Sequence, residues 1–242
     1  MDSPRDRLII ALDLSTPAEN EALVEALGDA VSFYKVGWGV LLRPGGPELQ
    51  QRLLRSGKSV FLDLKFYDVP NTVAVAVSAA AAQGVRFLTV HGNQEVVKAA
   101  AQARGNGGLK VMAVTVLTSL SEAEARRMYG LPSEVSLEDH VVRAAKDFVA
   151  AGCDGLIASA WEVGAIRERV PGQFIVVTPG IRLPGEPADD QKRIATPYES
   201  VVNGADYLVV GRSVYRDPDP RAKVEEYVRA IAKGLDDRFD RD

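Results

Sequence analysis

Eight short apolar runs, separated by segments with helix signals, constrain the fold of this chain more than any other feature. Each run is nearly continuous in apolar residues rather than alternating, which is typical of parallel strands that are covered on both faces. The strands are predicted over residues 8–14, 33–38, 60–65, 87–91, 111–117, 155–159, 174–179 and 207–211.

Helix signals occupy the segments between these runs. Pro70 opens an alanine-rich helix predicted over 71–83, and a last helix is predicted over 218–233 with Gly234 as its C-terminal stop. Repeated strand–helix units predict a (β/α)8 TIM barrel that forms a single domain over residues 1–242. A doubly wound parallel sheet is the alternative.

Charge and cysteine content exclude several classes of protein. The formal net charge is −4, so no nucleic-acid partner is expected and an anionic ligand would need a local group of cations. Cys153 is the single cysteine, which excludes an intrachain disulfide. No window approaches the ~18 apolar residues of a membrane span, and no apolar stretch typical of a signal peptide follows the charged N-terminus. We therefore expect a cytoplasmic enzyme with no membrane partner.

Polar residues at the strand ends predict where the chemistry lies, because barrel enzymes carry their active sites at the C-terminal ends of the strands. Asp63 and Lys65 are two residues apart on the third strand and are expected to point to one face. Asp13 on the first strand and Lys35 on the second are expected at the same mouth. Together they would form an array of alternating charges in which each lysine stays protonated. An ion-pair network that only stabilises the barrel is the alternative interpretation.

A second group of residues has the character of a phosphate site. Gly211 and Arg212 follow the eighth strand, where barrels often bind phosphate through backbone N–H groups and a helix start. An arginine can bind phosphate with two hydrogen bonds, and a surface arginine after a glycine turn is the alternative. The polar segment 182–191 after the seventh strand is predicted to be a mobile lid on the same face.

No metal or cofactor is expected from the sequence. It has no His-x-His pair and no Glu-x-x-His pattern, and Lys35 and Lys65 would repel a cation beside Asp63 and Asp68. It also lacks a Gly-x-x-x-x-Gly-Lys loop, and no Gly-x-Gly-x-x-Gly follows the first strand. P-loop and dinucleotide enzymes are therefore disfavoured.

The segment 63–72, Asp-Leu-Lys-Phe-Tyr-Asp-Val-Pro-Asn-Thr, resembles the orotidine 5′-phosphate decarboxylase family. That family carries Asp-x-Lys-x-x-Asp-Ile-Pro-x-Thr, and Val69 is the one departure. Supporting stretches match in order and rough spacing, and they are residues 11–13, 34–37, 115–119, 178–182, 189–193 and 210–213. The layout and the lid are similar to those of the bacterial form.

The resemblance implies cofactor-free decarboxylation of orotidine 5′-phosphate to UMP and CO₂, the last step of de novo UMP synthesis. It implies that Lys65 donates a proton to C6 of the pyrimidine, that Asp63 lies against the departing carboxylate, and that Thr118 lies beside the base. Asp13 and Lys35 would bind the ribose hydroxyls, and Lys35 would complete the charge array.

The resemblance also implies a phosphate grip and a shared active site. The 5′-phosphate would be held by Arg182, Gln191, Gly211 and Arg212. Asp68, with Asp63, would keep the catalytic lysine charged. Asp68 and Thr72 would reach into the site of the neighbouring subunit, which makes the enzyme a homodimer.

Other functions stay open at this stage. A Mg²⁺-dependent 3-keto-gulonate-phosphate-type decarboxylase shares Asp-x-Lys-x-x-Asp but needs an acidic ligand on strand two, where this chain has Lys35. A phosphosugar aldolase would use Lys35 or Lys65 to form a Schiff base. A phosphate-ligand binding barrel without catalysis is the non-enzymatic alternative.

Overall fold

The predicted strands all form in the computed structural model of the chain, which describes residues 3–239. Their bounds agree with the predicted runs within three residues at each end. The strands are β1 Leu8–Leu12, β2 Phe33–Gly37, β3 Ser59–Phe66, β4 Phe87–Val90, β5 Lys110–Val114, β6 Gly155–Ile157, β7 Ile175–Thr178 and β8 Tyr207–Val210.

The strands close into a barrel in chain order. Every neighbouring pair is parallel, and β1 also pairs with β8. The chain is therefore a (β/α)8 barrel, and the alternative of an open, doubly wound sheet is wrong.

Helices connect the strands on the outside of the barrel. Those of residues 3–239 are α1 Pro17–Leu27, α2 Trp38–Leu41, α3 Gly46–Arg55, α4 Pro70–Ala82, α5 Gln94–Ala103, α6 Glu122–Tyr129, α7 Leu137–Ala150, α8 Ala160–Arg169, α9 Pro197–Val202, α10 Arg212–Tyr215 and α11 Pro220–Phe239. Side-chain caps fix several helix starts; for example, Asn93 accepts a hydrogen bond from the N–H of Val96 at the start of α5, which satisfies one free backbone donor. No helix in this part of the chain combines the length and apolar character needed to cross a membrane.

The last helix departs from its prediction. α11 runs through Gly234 and ends at Phe239, so the predicted stop at Gly234 is wrong. A Cβ at Gly234 would lie 3.0 Å from Cβ of Val201 and 3.1 Å from the carbonyl oxygen of Tyr198. The glycine therefore serves the close approach of α11 to α9 rather than the end of a helix.

The inside of the barrel is filled by aromatic rings at its N-terminal end. Phe33, Phe87 and Tyr207 each begin a strand and pack edge to face, with ring centroids 5.1–6.0 Å apart. A second and larger apolar layer lies between the strands and the helices, and it includes the buried Cys153. Because the N-terminal end is plugged, the open end of the barrel is the C-terminal one.

Candidate active site

One cavity at the C-terminal mouth of the barrel, about 250 Å³ in volume, collects most of the predicted site residues. Nine of the eleven line it, and they are Asp13, Lys35, Asp63, Lys65, Thr118, Arg182, Gln191, Gly211 and Arg212. Apolar side chains of the strands, such as Phe61 and Val177, complete the lining. The cavity therefore combines an apolar wall with charged groups, as expected of a site for a small anionic ligand.

The four strand-end charges form an unbroken chain of ion pairs. Nζ of Lys35 lies 3.2 Å from Oδ1 of Asp13 and 3.5 Å from Oδ2 of Asp63. Nζ of Lys65 lies 2.7 Å from Oδ1 of Asp63. The side chains of Lys35 and Asp63 are nearly buried, whereas those of Asp13 and Lys65 are more open to solvent. The alternation predicted from the sequence is thus the spatial order Asp13–Lys35–Asp63–Lys65.

The charged groups of these ion pairs stabilise one another. Burial works against the charged form of Lys35, but Asp63 and Asp13 outweigh it, so the pKa of Lys35 is raised above its ordinary value. Burial likewise works against the charged form of Asp63, yet Lys35 and Lys65 hold the pKa of Asp63 below its ordinary value. At neutral pH Lys35 is therefore an ammonium and Asp63 a carboxylate.

The backbone of Lys65 is irregular at the point where the side chain enters the cavity. Its φ is 46°, in the left-handed region that residues other than glycine seldom adopt. The register between β3 and β4 shifts between Leu62 and Phe66, which marks a bulge around Lys65. The N–H of Lys65 donates to Oγ1 of Thr89 on β4 at 2.9 Å. The bulge thus decides the direction in which Lys65 points.

The lid segment, residues 182–191, folds over the other side of the cavity. Nε of Arg182 donates to the carbonyl oxygen of Pro187 at 2.8 Å, and its Nη2 lies 3.6 Å from Oδ2 of Asp189. Glu186 accepts a hydrogen bond of 2.6 Å from the hydroxyl of Tyr227 on α11. The two contacts of Arg182 brace the segment internally, and the contact of Glu186 ties it to α11 in this conformation.

Arg212, which begins α10 after β8, is paired with two carboxylates of the lid segment. It forms an ion pair with Asp190, and its Nε lies 3.5 Å from Oδ2 of Asp189. The same Asp189 accepts from Nη1 of Arg216 at 3.0 Å. Oε1 of Gln191 is buried without a hydrogen-bond partner among the described residues. Cationic and polar groups are therefore concentrated where the lid meets β8.

Asp68 and Thr72 lie outside the cavity. Both are exposed in the β3–α4 region, and Oδ1 of Asp68 accepts from the N–H of the adjacent Val69 at 2.6 Å. Within residues 3–239, no ion pair joins Asp68 to either lysine of the cavity. The structure of the single chain thus separates these two from the other predicted site residues.

His91, which follows β4, lies beside the cavity rather than in its lining. Its ring centroid is 5.9 Å from that of Tyr67, and its Nε2 is 3.4 Å from the hydroxyl of Tyr129. Burial, with a smaller contribution from Lys65, lowers the pKa of His91 below its ordinary value. His91 is thus a neutral, half-buried packing residue next to the site.

The sequence did not single out three residues that the structure connects to the site, namely Thr89, Asp189 and Asp190. A single polar residue within the apolar strand β4 was an available signal for Thr89. The two acids were visible as part of a polar loop and of the matching stretch 189–193, but no role was assigned to them. No group of His, Cys, Asp and Glu side chains in the described part of the chain is arranged to hold a metal ion.

Comparisons with known proteins agree with one another. A protein-family model described as "Orotidine 5'-phosphate decarboxylase / HUMPS family" matches residues 6–227. The chain is 44% identical over 234 residues to an orotidine 5′-phosphate decarboxylase of Nitrobacter winogradskyi, covering 97% of this chain and 96% of that protein. It is 47% identical over 220 residues to one of Methylorubrum populi, covering 90% and 92%. The crystal structure of orotidine 5′-phosphate decarboxylase from Lactobacillus acidophilus superposes with a TM-score of 0.80 at 33% identity, over 93% of this chain and 99% of that one.

Proposed function

The chain belongs to the orotidine 5′-phosphate decarboxylase / HUMPS family, and from that premise we propose that it converts orotidine 5′-phosphate to UMP and CO₂, the last step of de novo UMP synthesis. The observation that carries the proposal is the chain of charges Asp13–Lys35–Asp63–Lys65 in the wall of the cavity. An array that only stabilised the barrel would not need to line a cavity of substrate size.

Lys65 is the proton donor in this proposal. Loss of CO₂ leaves the bonding electron pair at C6 of the pyrimidine, with no adjacent carbonyl to accept it. A fixed ammonium stabilises that developing negative charge and then transfers a proton to C6, which gives UMP. Asp63, 2.7 Å from Nζ of Lys65, holds the ammonium in place, and it faces the carboxylate that departs.

The rest of the cavity supplies binding groups. Asp13 and Lys35 bind the ribose hydroxyls, and Thr118, four residues after the end of β5, lies beside the base. Catalysis of this kind needs neither a metal nor an organic cofactor, because fixed charges and one proton donor perform the chemistry.

The phosphate is held on the opposite side of the cavity, far from C6. The residues proposed for it are Arg182, Gln191, Gly211 and Arg212, all of which line the cavity. The lid segment closes on the bound phosphate as a mobile element, so that binding energy of the phosphate contributes to the transition state. The buried Oε1 of Gln191, which lacks a partner, supports a role in contacting the ligand.

The enzyme is proposed to be a homodimer whose subunits share their active sites. Asp68 and Thr72 are contributed to the site of the neighbouring subunit. The side chains that flank Asp68 support this role, because Tyr67 is 71% and Val69 62% exposed in the single chain. Large apolar side chains in such a patch are typical of a surface that another subunit covers. Separate monomers are therefore expected to be nearly inactive.

The Mg²⁺-dependent decarboxylase is disfavoured by the position of Lys35. Its ammonium lies between the carboxylates of Asp13 and Asp63, where it would repel a divalent cation. We also propose a cytoplasmic location for the enzyme.

The test follows the loss of the ultraviolet absorbance of orotidine 5′-phosphate with the purified protein in EDTA. We expect turnover in EDTA at the same rate as with added Mg²⁺, and UMP as the product. Turnover that requires Mg²⁺ would instead favour the metal-dependent rival. Tight UMP binding without turnover would identify a binding protein.

A further inference from the structure

Thr89 on β4 has no solvent-exposed surface and carries its hydroxyl to the back of the charge array. Oγ1 of Thr89 accepts a hydrogen bond from the backbone N–H of Lys65 at 2.9 Å. It lies 3.0 Å from Oδ1 of Asp63 and 3.5 Å from the carbonyl oxygen of Leu62. A hydroxyl has one proton to donate. The carboxylate oxygen of Asp63 is charged and closer than the carbonyl oxygen of Leu62, so it is the stronger acceptor. The hydroxyl therefore donates to Asp63.

The bulge in β3 explains why the N–H of Lys65 needs this partner. In a regular parallel ladder, the N–H groups that face a neighbouring strand bond to its backbone carbonyls. Here the register between β3 and β4 is interrupted between Leu62 and Phe66, and Lys65 has a left-handed φ of 46°. The side chain of Thr89 replaces the missing backbone acceptor, so it stabilises the conformation that directs Lys65 into the cavity.

The same hydroxyl restricts the carboxylate of Asp63. Oδ1 of Asp63 receives the hydroxyl of Thr89 and the ammonium of Lys65 at 2.7 Å, while Oδ2 lies 3.5 Å from Nζ of Lys35. With a partner on each side, the carboxylate has little freedom to rotate. A closed ring of contacts thus runs from the main chain of Lys65 to the hydroxyl of Thr89, on to the carboxylate of Asp63, and back to the ammonium of Lys65.

We propose that Thr89 is a positioning residue for the decarboxylation: by bonding to both the backbone of Lys65 and the carboxylate of Asp63, its hydroxyl fixes where the ammonium of Lys65 stands relative to C6. This inference rests on the proposed function. Thr89 does not line the cavity, so it would act through Asp63 and Lys65. Its loss should slow the chemical step and leave ligand binding nearly unchanged.

The experiment compares two pairs of proteins that differ mainly in the hydroxyl at position 89. The first pair is the wild type and Thr89→Val, and the second is Thr89→Ser and Thr89→Ala. Thr89→Val keeps the shape of the side chain and removes the hydroxyl, whereas Thr89→Ser keeps the hydroxyl and removes a methyl group. Thr89→Ala is compared with Thr89→Ser, so the inference stays testable if the valine variant does not fold. For each folded variant, kcat and KM for orotidine 5′-phosphate and Kd for UMP are measured below its melting temperature.

We expect kcat to fall roughly 10- to 100-fold in the valine and alanine variants, which corresponds to the loss of a hydrogen bond to a charged group. KM and Kd for UMP should change less than about threefold, and Thr89→Ser should keep kcat within about threefold of the wild type. A residue that only satisfies a buried amide would lower the melting temperature and leave kcat of the folded protein unchanged. That result, or equal losses of kcat in the serine and alanine variants, overturns the inference. A wild-type protein that does not decarboxylate the substrate overturns the proposed function and, with it, the role of Thr89.

Discussion

Nε of Arg212 lies 3.5 Å from Oδ2 of Asp189, so the cation proposed to grip the phosphate is held by an acid of the lid segment. Asp190 pairs with the same guanidinium. Two carboxylates of the lid segment thus contact the guanidinium that we propose for the phosphate. If the phosphate binds Arg212 as proposed, it competes with these contacts, and occupancy of the site is then coupled to the conformation of the lid.

Replacement of Arg212 tests the phosphate site. Arg212→Ala should lower kcat/KM for orotidine 5′-phosphate by roughly a hundredfold or more, because charge-assisted hydrogen bonds to the dianion are lost. The matched control is Arg216→Ala, which removes another arginine bound to Asp189 but one that does not line the cavity. The control should lose less than about threefold. Similar, small losses in both variants would place the phosphate elsewhere.

Replacement of Lys65 tests the proton donor. Lys65→Ala should reduce UMP formation by roughly 10⁴-fold or more, since both the electrostatic stabilisation and the proton source disappear. UMP should still bind, because the phosphate and ribose groups remain. Lys98→Ala, on the exposed face of α5, is the control and should behave as the wild type. Near-normal turnover in Lys65→Ala is incompatible with the mechanism.

Mixing two inactive variants tests the shared active site. In the proposed homodimer, a dimer of one Lys65→Ala and one Asp68→Ala subunit would contain one intact site, because the first subunit would lend its Asp68 to the second. Random exchange makes half of the dimers mixed, so co-expression should restore about a quarter of the wild-type activity per subunit.

The control for this experiment mixes Lys65→Ala with Asp63→Ala. Both replacements then affect residues that serve their own subunit's site, and no combination of subunits rebuilds an intact one. Activity should therefore stay absent in the control mixture. No recovery in the test mixture would show that Asp68 does not cross between subunits, and recovery in the control would show that Lys65 and Asp63 of one site come from different subunits.

The titration of His91 tests the electrostatics beside the site. Burial and Lys65 disfavour its imidazolium, so its pKa should lie below about 6.5 by NMR. Because the unfolded chain takes up that proton first as the pH falls, His91 should lower the free energy of unfolding below pH ~6.5 and not above it. Lys65→Ala should raise the pKa of His91 without restoring its ordinary value, since burial remains.

Assignment of that titration is simple, because His140 is the only other histidine of the chain. His140→Gln removes the second imidazole and leaves His91 to be followed alone. A pKa of His91 at or above about 6.5, or one that does not respond to Lys65→Ala, contradicts the predicted environment.

The strands and most of the cavity lining could be predicted from the sequence because both depend on local patterns. Apolar runs mark the strands, and their C-terminal ends meet at one mouth in any closed parallel barrel. The function of Thr89 depends instead on a left-handed backbone at Lys65, and a hydroxyl in an apolar strand gives no sign of that bulge. Gly234 reads as a helix stop, and only the close approach of α9 reveals its packing role. Asp189 pairs with Arg212 in α10 and with Arg216 just after it. Both arginines lie more than twenty residues away in the chain, so no local pattern indicates these contacts.

The acids of the lid have a consequence for how fast the substrate arrives. Around the mouth, five cations (Lys35, Lys65, Arg182, Arg212 and Arg216) face four carboxylates (Asp13, Asp63, Asp189 and Asp190), which leaves one net positive charge. A doubly charged phosphate therefore experiences little long-range attraction, although it contacts cationic side chains once it is inside the cavity. The association rate constant should change only weakly with ionic strength, and Asp189→Asn or Asp190→Asn should make it both faster and more sensitive to salt.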